Sequence, residues 1–410
     1  MASDRTADFG KLLDSDRSRQ PRGFETAVAR VVVEPAGLDE LAEVVRKCER
    51  DRITIAPIGA CRTLRYLRPN PVDAAISMAR MAQVISYEPD DMTVVAGAGI
   101  TLGALDAALG RHGQHLPVDP AFPEQTSVGA MLGAAQSGPL RLSAGTARDF
   151  LIGVQFAGHG GQIVRGGGRV VKNVAGYDLM KVMIGSFGTL GIITEAILKV
   201  RPLPEVYAIA LGYYGGMPEA FAAGFRLHDA LPLLHLELLS PGVRTPMSRD
   251  GQFLLAAGVG GNRKDVDYQM DEIRQELPGA VVLEGGDAQK FYRVVRDAEL
   301  PEAAVRMQLS VVPRELPACL DALALDFRAH VGAGVAQVAF DGDAVIAARL
   351  RRAAAQARGN ARVLSLDPAL RGAVAFFDEP AAGAMKLMRG LKAAFDPAGI
   401  FNPGCFVGGI

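Results

Sequence analysis

Short apolar runs alternate with segments of helical periodicity along the first 200 residues, and this pattern predicts a mixed α and β fold. The runs typical of strands are Ala29–Val33, Ile53–Ile58, Thr93–Ala96, Gly153–Ala157, Gln162–Arg165 and Gly191–Val200. The segments with helical periodicity begin near Leu38, after the capping residue Thr101, at Val128 and near Asp178. Because several strands are short and one pair is joined by a glycine-rich turn, the pattern favours α+β over a regular βαβ array.

The second half alternates strands with longer helices. Its predicted strands are Tyr207–Leu211, Phe253–Val259, Arg306–Val311 and Val335–Phe340, and its predicted helices are Lys264–Glu276, Leu316–Phe327 and Asp343–Arg358. We predict an antiparallel sheet that helices cover on one face. Pro202 and Pro204 interrupt the pattern between the halves, so a domain boundary is expected near residue 204.

Composition narrows the classes of function. The chain has 410 residues, of which 49% are hydrophobic and 22% charged, so it is long enough for two or three globular domains. Its 44 basic and 45 acidic side chains give a net charge of −1, which favours no nucleic-acid partner. No apolar run reaches the roughly 18 residues of a membrane span. The charged first 20 residues contain no apolar stretch typical of a secretion signal. We therefore expect a cytoplasmic protein without direct membrane insertion.

The spacing of cysteine and histidine predicts no metal. The four cysteines, Cys48, Cys61, Cys319 and Cys405, are far apart and form no CxxC pair, which fits a reducing compartment. The six histidines have none of the spacings typical of metal ligands.

Two glycine- and alanine-rich segments are candidates for binding an extended ligand. In the first, the strand at Ile55 leads into a small-residue loop with Arg62, where successive backbone N–H groups can bind an anion; an ordinary surface turn has the same pattern. In the second, Thr126 and Ser127 precede Val128–Gln136, a helix of small residues that a flat group can approach closely. Close packing of that helix on a sheet is the alternative interpretation.

Three further segments carry a resemblance to a known family. They are Gly168–Leu179 (GRVVKNVAGYDL), Gly185–Glu195 (GSFGTLGIITE) and the ending Phe395–Gly404 (FDPAGIFNPG). Together they resemble the PCMH-type FAD-binding domain of the vanillyl-alcohol-oxidase superfamily, and within it the FAD-binding E-type subunits of glycolate oxidase. The resemblance runs from about Val31 to Pro204 and resumes at Phe395.

The resemblance implies a fold, a cofactor and contact residues. The implied fold is a PCMH-type domain of two α+β subdomains over 1–204, an α/β cap over 205–394 with an antiparallel sheet, and a segment over 395–410 that returns to the flavin domain. The implied cofactor is FAD. The contacts carried over are Pro57, Ile58, Gly59, Ala60, Cys61, Arg62 and Thr63 of the pyrophosphate loop, then Pro117, Asp119, Thr126, Ser127, Gly129, Ser137, Gly138, Arg141, Gly145, Thr146, Asp149, Gly191, Ile192, Ile193 and, near the isoalloxazine, Asn402.

The chain departs from the family at two places. Ala60 and Cys61 stand where the family loop usually has glycines, and Cys61 falls where relatives with covalent flavin carry a histidine; a cysteinyl–flavin bond and a small buried thiol are the two readings. The chain also has no GDGNxH-type segment, so the catalytic residue stays open. His235 and His330 are lone candidates for a base, each equally suited to a structural role.

Three hypotheses follow. The leading one is an FAD-binding subunit of a multi-subunit glycolate or 2-hydroxy acid dehydrogenase that produces glyoxylate. Its implied partners are a homologous catalytic FAD subunit and an iron–sulfur subunit, through which it could associate with a membrane. The second is a self-sufficient FAD-dependent 2-hydroxy acid dehydrogenase with an unfamiliar base. The third is a non-catalytic subunit with a flavin fold.

Overall fold

A computed structural model describes residues 18–59, 71–168, 177–321, 325–342, 344–370 and 372–410. Its strands are β1 Ser18–Arg19, β2 Ala29–Val33, β3 Ile55–Ile58, β4 Val72–Ser77, β5 Val84–Glu88, β6 Thr93–Gly97, β7 Gln114–His115, β8 Leu151–Ala157, β9 Ile163–Gly167, β10 Ile192–Lys199, β11 Arg201–Pro202, β12 Val206–Tyr214, β13 His235–Leu239, β14 Phe253–Gly261, β15 Val281–Glu284, β16 Val305–Ser310, β17 Asp326–His330, β18 Val335–Phe340 and β19 Asn360–Leu366. Its α-helices are α1 Leu38–Asp51, α2 Leu102–Gly110, α3 Val128–Gly133, α4 Arg141–Ala144, α5 Ala147–Phe150, α6 Leu179–Met183, α7 Met217–Ala230, α8 Arg263–Glu276, α9 Gly285–Asp297, α10 Leu316–Asp321, α11 Ala344–Gln356 and α12 Ala382–Phe395.

The first 200 residues form two sheets with different strand directions. One has the order β1-β2-β4-β3, in which β2 and β3 both run parallel to β4. The other is antiparallel and has the order β5-β6-β10-β8-β9. The amphipathic helix α1 buries Leu41, Val44 and Val45, as its sequence pattern predicts. These sheets and their helices confirm the predicted mixed α+β class.

The second half forms one antiparallel sheet of eight strands, in the order β15-β12-β14-β13-β17-β18-β16-β19. Val305, Met307 and Leu309 of β16 are fully buried, whereas the side chains between them lie on the opposite face. This alternation with a period of two gives the sheet one apolar face and one partly polar face. The antiparallel sheet was predicted, and it is larger than the four strands foreseen.

The end of the chain returns to the first sheet. Ile55 at the start of β3 donates its backbone N–H to Ile400 and accepts one from Asn402, at 2.8 and 2.6 Å. The carboxylate of Asp396 organises this return by accepting the backbone N–H groups of Ile400 and Phe401. The predicted return of the last segment therefore corresponds to a short pairing against β3.

One predicted element is wrong over part of its length. The helix expected over Leu316–Phe327 is observed over Leu316–Asp321, residues 322–324 lie outside the described residues, and Phe327 lies in β17. Phe327 pairs with Val338 of β18 and stacks on Phe221 in the core, which are contacts distant in sequence that a local pattern does not register. Long-range pairing outweighs local helix propensity here.

Candidate functional site

A cleft of about 800 Å³ lies where β3, helix α3 and the turn before β10 meet. Its lining consists mostly of small or apolar residues: Pro57, Ile58, Gly59, Met78, Ala98, Gln125, Thr126, Ser127, Gly129, Ala130, Gly133, Ala134, Gln136, Ser186, Phe187, Gly188, Gly191 and Ile193. Cofactor clefts in proteins are concave and have largely apolar linings. We call this space the flavin cleft.

Helix α3 forms one wall of the flavin cleft. Ser127 caps the helix, because its Oγ accepts the backbone N–H of Ala130 at 3.2 Å. The helix start is tied to the end of β6, where Gly129 donates its N–H to Ala98 at 2.8 Å. At Gly133, the last residue of α3, a Cβ would meet no atom within 4 Å, so this position faces open space. The small residues therefore keep the wall flat and accessible.

The turn from Gly185 to Gly188 forms the opposite wall and has an unusual backbone. Phe187 has φ 52°, a left-handed conformation that is uncommon for a residue with a side chain. Gly188 has φ 70°, and a Cβ there would lie 2.4 Å from Cγ of Pro57. Strained positions of this kind persist where surrounding contacts fix them, and they often occur at ligand sites.

Asn402 supplies one of the contacts that fix this turn. Its Nδ2 donates to the Phe187 carbonyl at 2.5 Å, and the backbone N–H of Phe187 donates to Gly133 at 2.8 Å. Asn402 is fully buried and itself has φ 42°. The residue predicted to lie near the isoalloxazine thus holds the turn that lines the cleft.

Ser186 tests whether the flavin cleft suits a polar ligand such as FAD. Its Oγ is buried and has no hydrogen-bond partner among the described residues, although the side chain lines the cleft. A buried hydroxyl without a partner costs free energy, and a ligand oxygen or nitrogen in the cleft can remove that cost. The flat small-residue wall and this hydroxyl both fit a flavin nucleotide.

A second cavity adjoins the flavin cleft and has a different character. It measures about 1190 Å³ including its open mouth and shares Thr126, Ala134, Gln136 and Phe187 with the cleft, so the two spaces are adjacent. Its remaining lining is Pro120, Ala121, Phe122, Ser137, Ala298, Glu299, Leu300, Arg306, Gln308, Arg328, Gln337, Arg362, Val363, Leu364, Ser365 and Phe377. We call it the arginine cavity.

The polar face of the eight-stranded sheet forms the floor of the arginine cavity. Strand register places Arg328 opposite Gln337, Gln337 opposite Gln308, and Gln308 opposite Arg362. Directly paired residues in an antiparallel sheet share one face. These four residues therefore form a row across β17, β18, β16 and β19, which we call the polar row.

The guanidinium groups in this cavity are held by neutral oxygens. Arg306 donates to the carbonyls of Leu300 and Pro301, and Arg328 donates to those of Arg296 and Ala298. Burial lowers the pKa of Arg328 and of Arg362 below the usual arginine value, since a charged group loses hydration there. The cavity thus offers positive charge to an anion.

Arg362 lies at the end of the polar row that faces the flavin cleft. It donates to the carbonyl of Ala134 at 3.4 Å and to the amide oxygen of Gln308 at 3.2 Å. Its Nε, like that of Arg328, is buried without a hydrogen-bond partner in the part of the chain that the structure describes. Arg362 therefore presents charge and an unsatisfied donor beside the cleft.

The structure brings eight of the predicted flavin contacts together in the cleft lining. They are Pro57, Ile58, Gly59, Thr126, Ser127, Gly129, Gly191 and Ile193, and Ser137 lines the arginine cavity. Ala60, Cys61, Arg62 and Thr63 lie outside the described residues, as do positions 169–176 of the GRVVKNVAGYDL segment, including Lys172. Tyr177, which follows that segment, is 94% exposed. The remaining predicted contacts lie around the cleft without lining it.

Pro117 and Asp119 belong to this outer set, and Asp119 lies against Gly138 and Leu140. A Cβ at Gly138 would lie 1.9 Å from the carbonyl oxygen of Asp119, whose carboxylate accepts the backbone N–H of Leu140 at 3.1 Å. Asp119 also accepts a hydrogen bond from Tyr292 of α9. Burial raises the pKa of Asp119 to about 7. Asp119 thus joins the cleft side of the molecule to the eight-stranded sheet side.

The other outer residues have local structural partners. Thr146 and Asp149 form a capping box at the start of α5, where Asp149 accepts the Thr146 N–H at 2.7 Å, and Gly145 precedes it with φ 92°. The guanidinium of Arg141 lies 3.5 Å from the Ser137 hydroxyl. Ile192 is fully buried in β10. Their role as flavin contacts stays a prediction.

The two histidines considered as bases lie inside the eight-stranded sheet. His235 contacts the Tyr207 hydroxyl through Nε2 at 2.6 Å, and His330 contacts Glu237 through Nδ1 at 2.7 Å. Both histidines are buried, and neither lines the flavin cleft or the arginine cavity. Burial lowers the pKa of His235 to about 4, so it is neutral at physiological pH.

Sequence reasoning did not single out several residues that line the site. Six of them lie inside the segments that the sequence analysis had already selected, so membership of those segments could have identified them. They are Gly133, Ala134, Gln136, Ser186, Phe187 and Gly188. Arg306 and Gln308 alternate with apolar residues in a predicted strand, which signals a polar face. Arg328 and Arg362 lie on β17 and β19, two strands that the pattern did not predict.

Two absences complete the description of the site. Across the described residues, no group of three or more His, Cys, Asp or Glu side chains is arranged to hold a metal ion. No helix within the described ranges is long and apolar enough to cross a membrane.

Comparison with protein-family models agrees with this geometry. The model of the FAD binding domain matches residues 29–167, and the model of the C-terminal domain of FAD linked oxidases matches residues 377–405. The first match covers strands β2 to β9, which include most strands of both sheets beside the flavin cleft, and the second covers the segment that returns to β3. The chain thus carries a PCMH-type FAD-binding fold, and its cofactor is FAD.

Curated relatives point to the same class. Glycolate oxidase subunit GlcD of Bacillus subtilis (strain 168) is 30% identical over 46% of this chain and 40% of its own length. Glycolate oxidase subunit GlcE of Escherichia coli (strain K12) is 40% identical over 30% of this chain and 35% of its own length. An uncharacterised FAD-linked oxidoreductase of Mycobacterium tuberculosis (strain ATCC 25618 / H37Rv) is 27% identical over 91% of this chain and 90% of its own. The chain thus matches less than half the length of the two glycolate oxidase subunits.

A solved structure shows that the fold extends over the whole chain. An alkyldihydroxyacetonephosphate synthase superposes with a TM-score of 0.71 over 98% of this chain and 84% of that one, at 16% identity. The fold and the cleft thus define a PCMH-type FAD-binding protein. In sequence the chain is similar to FAD-linked oxidoreductases, among them glycolate oxidase subunits and D-lactate dehydrogenases.

Proposed function

We propose that this chain is the FAD-binding subunit of a 2-hydroxy acid dehydrogenase of the glycolate oxidase type. The observation that carries the proposal is that the arginine cavity lies next to the flavin cleft and shares four lining residues with it. A substrate carboxylate needs a cationic partner, and guanidinium groups bind carboxylates with two parallel hydrogen bonds. Arg362 offers such a partner at the side of the cavity nearest the cleft.

Different residues of the chain bind the flavin and orient the substrate. When bound, FAD supplies a two-electron acceptor for oxidation of the alcohol carbon. The flat wall of α3 and the turn at Phe187 hold the flavin, and Asn402 keeps that turn in place. Arg362 and Gln308 orient the substrate carboxylate, so that the alcohol carbon lies toward the flavin cleft.

The proton acceptor decides between a subunit and a self-sufficient enzyme. Oxidation of a 2-hydroxy acid to a 2-oxo acid also requires a group that accepts the hydroxyl proton. Among the described lining residues of the two spaces there is no histidine or tyrosine, and Glu299 is the only carboxylate. This lack of a histidine or tyrosine supports the subunit role. In that role a homologous catalytic FAD subunit performs the proton transfer, and an iron–sulfur subunit takes the electrons onward.

Glu299 supports a second candidate function, a self-sufficient FAD-dependent 2-hydroxy acid dehydrogenase. It lines the arginine cavity, so its carboxylate can reach a bound substrate. On this reading, Glu299→Gln abolishes reduction of the flavin by substrate while FAD binding is retained.

The visible absorption spectrum of the chain purified alone, before and after anaerobic glycolate, distinguishes these functions. We expect a flavin spectrum that glycolate does not bleach until the partner subunits are added. Bleaching of the isolated chain would contradict the subunit role and support the second candidate. A chain that takes up no flavin even with its partners present would contradict both.

The domain division predicted from sequence belongs to the same proposal. We propose that 1–204 is the FAD-binding domain, that 205–394 is the cap that contributes the arginine cavity, and that 395–410 completes the flavin domain. Its support is that β12–β19, which form the eight-stranded sheet, all lie between residues 206 and 366.

A further inference from the structure

The cationic side chains of the arginine cavity are arranged at two separate places. Arg362 ends the polar row next to Ala134, which lines the flavin cleft. Arg328 ends the row on the other side, three strands away. Neighbouring strands are about 4.8 Å apart, so the two backbone positions are separated by about 14 Å.

Arg306 adds to the charge at the Arg328 end. It donates to the carbonyls of Leu300 and Pro301, while Arg328 donates to the carbonyls of Arg296 and Ala298 just before them in sequence. Both guanidinium groups are thus anchored by the same segment, 296–301. The cavity therefore has one guanidinium beside the flavin cleft and two at the segment 296–301.

The groups between these two places are neutral hydrogen-bonding side chains. Gln337 and Gln308 fill the middle of the polar row, and Ser365 lies opposite Arg306 on β19. In the part of the chain that the structure describes, Arg306, Arg328 and Arg362 have only neutral oxygens as hydrogen-bond partners. The carboxylates of Glu237, Asp119 and Asp297 act to raise the pKa of Arg328 against the effect of burial, and Glu299 of the segment 296–301 also lines the cavity. The Nε atoms of Arg328 and Arg362 are nevertheless buried without a hydrogen-bond partner among the described residues. Leaving such donors unsatisfied is costly unless a bound anion accepts from them.

A single carboxylate can compensate at only one of these places. Glycolate has two carbons and one negative charge, and a molecule of that size cannot reach across the polar row. The arginine cavity, at about 1190 Å³ including its open mouth, has space for a longer molecule.

We propose that the substrate is a 2-hydroxy acid with a second anionic group, either a carboxylate or a phosphate. The proposal rests on the proposed function and specifies the substrate class of that same site. The 2-hydroxy carboxylate binds Arg362 beside the flavin cleft, and the distal anion binds Arg306 and Arg328. Gln308 and Gln337 donate to the substrate between its two ends.

The test uses ligand pairs that share the 2-hydroxy acid end and differ in whether they carry a second anionic group. Isothermal calorimetry on the FAD-loaded chain compares racemic malate with 2-hydroxybutyrate, and 3-phosphoglycerate with glycerate. Hydrogen bonds to charged groups lead us to expect the dianion of at least one pair to bind about tenfold tighter or more than its monoanion. The pair that shows the preference identifies the distal group as a carboxylate or a phosphate.

Two variants assign the effect to the proposed residues. Arg306→Gln should reduce the preference for the dianion to less than about threefold while the monoanion retains its affinity. Arg362→Gln should weaken dianion and monoanion alike by about tenfold, because both lose the partner of the shared carboxylate. Arg226→Gln, which removes an exposed ion pair with Glu276 far from the cavity lining, should change neither. Thermal unfolding and FAD content show that each variant is folded.

The outcomes separate this proposal from the proposed function. Equal affinities within both pairs would overturn the dianion proposal and leave the 2-hydroxy acid function intact, provided that the monoanions bind. Binding of none of the four ligands to a FAD-loaded chain would overturn both. A dianion preference that survives Arg306→Gln would also overturn the proposal, because the distal anion would then bind elsewhere.

Discussion

Filling the flavin cleft from helix α3 tests the location of the cofactor without disturbing the fold. Gly133 lines the cleft at the end of α3, and a Cβ there would meet no protein atom within 4 Å. We expect Gly133→Leu to fold normally, because replacing a glycine in a helix by a better helix former stabilises the fold by about 0.5–1 kcal/mol. The added side chain occupies space that FAD needs. Overpacking in a filled site costs about 1–3 kcal/mol, which corresponds to about 5- to 150-fold weaker FAD binding.

The assay is titration of the flavin-free protein with FAD, followed by flavin fluorescence, with urea unfolding monitored by circular dichroism. Gly110→Leu is the matched control, since Gly110 also ends a helix and a Cβ there also meets open space, but it does not line the cleft. FAD affinity of Gly133→Leu equal to that of the wild type would refute the placement of FAD. An equal loss of affinity in Gly110→Leu would show that the effect is not specific to the cleft.

Three further predictions concern residues around the cleft. Ser186→Ala removes a buried hydroxyl without a protein partner, so the flavin-free chain should be as stable as the wild type while FAD binds about 2- to 12-fold more weakly, as the same titration measures. Asn402→Ala leaves the Phe187 carbonyl without its donor, which should cost about 1–3 kcal/mol in urea unfolding and weaken FAD binding; unchanged FAD affinity would count against a role in shaping the cleft. For Asp119, the pKa of about 7 in the folded state lies above the value in the unfolded chain. The protonated side chain therefore adds to the free energy of unfolding in full below about pH 4, and this contribution is lost as the pH rises to about 7. Relative to Asp119→Asn, the wild type should therefore lose about 1.4 kcal/mol of unfolding free energy per pH unit between pH 5 and 7, and a pH-independent difference would contradict the raised pKa.

Local pattern was sufficient to predict the elements around the flavin cleft. The β-branched run Ala29–Val33, the amphipathic face of α1 and the Thr101 cap each occur as the pattern predicts, with Thr101 Oγ1 accepting the Ala104 N–H. These signals depend on residues close in sequence, where propensity, capping and alternation act together. The segments of the cleft wall were likewise marked by their small residues.

The arginine cavity could not be assembled from sequence, because its residues meet only through strand order. The polar row crosses from β18 to β16 and from β16 to β19, which are neighbours in the sheet but not consecutive in the chain, and register alone places Arg362 two strands from Gln337. Two of the four strands, β17 and β19, were not predicted, and Phe327 of β17 was assigned to a helix. The left-handed backbone of Phe187 could not be predicted from local sequence either, since the hydrogen bond that holds it comes from Asn402, which is 215 residues away in sequence.

The most direct test of the account is a difference spectrum of the bound flavin during titration with malonate, an unreactive dicarboxylate. The account holds that the flavin cleft and the arginine cavity form one site, so an anion beside Arg362 should perturb the visible flavin band. We predict a saturable spectral change in the wild type and its loss in Arg362→Gln, with FAD content unchanged in both. A flavin band that does not respond to malonate, although calorimetry shows that malonate binds, would contradict the account.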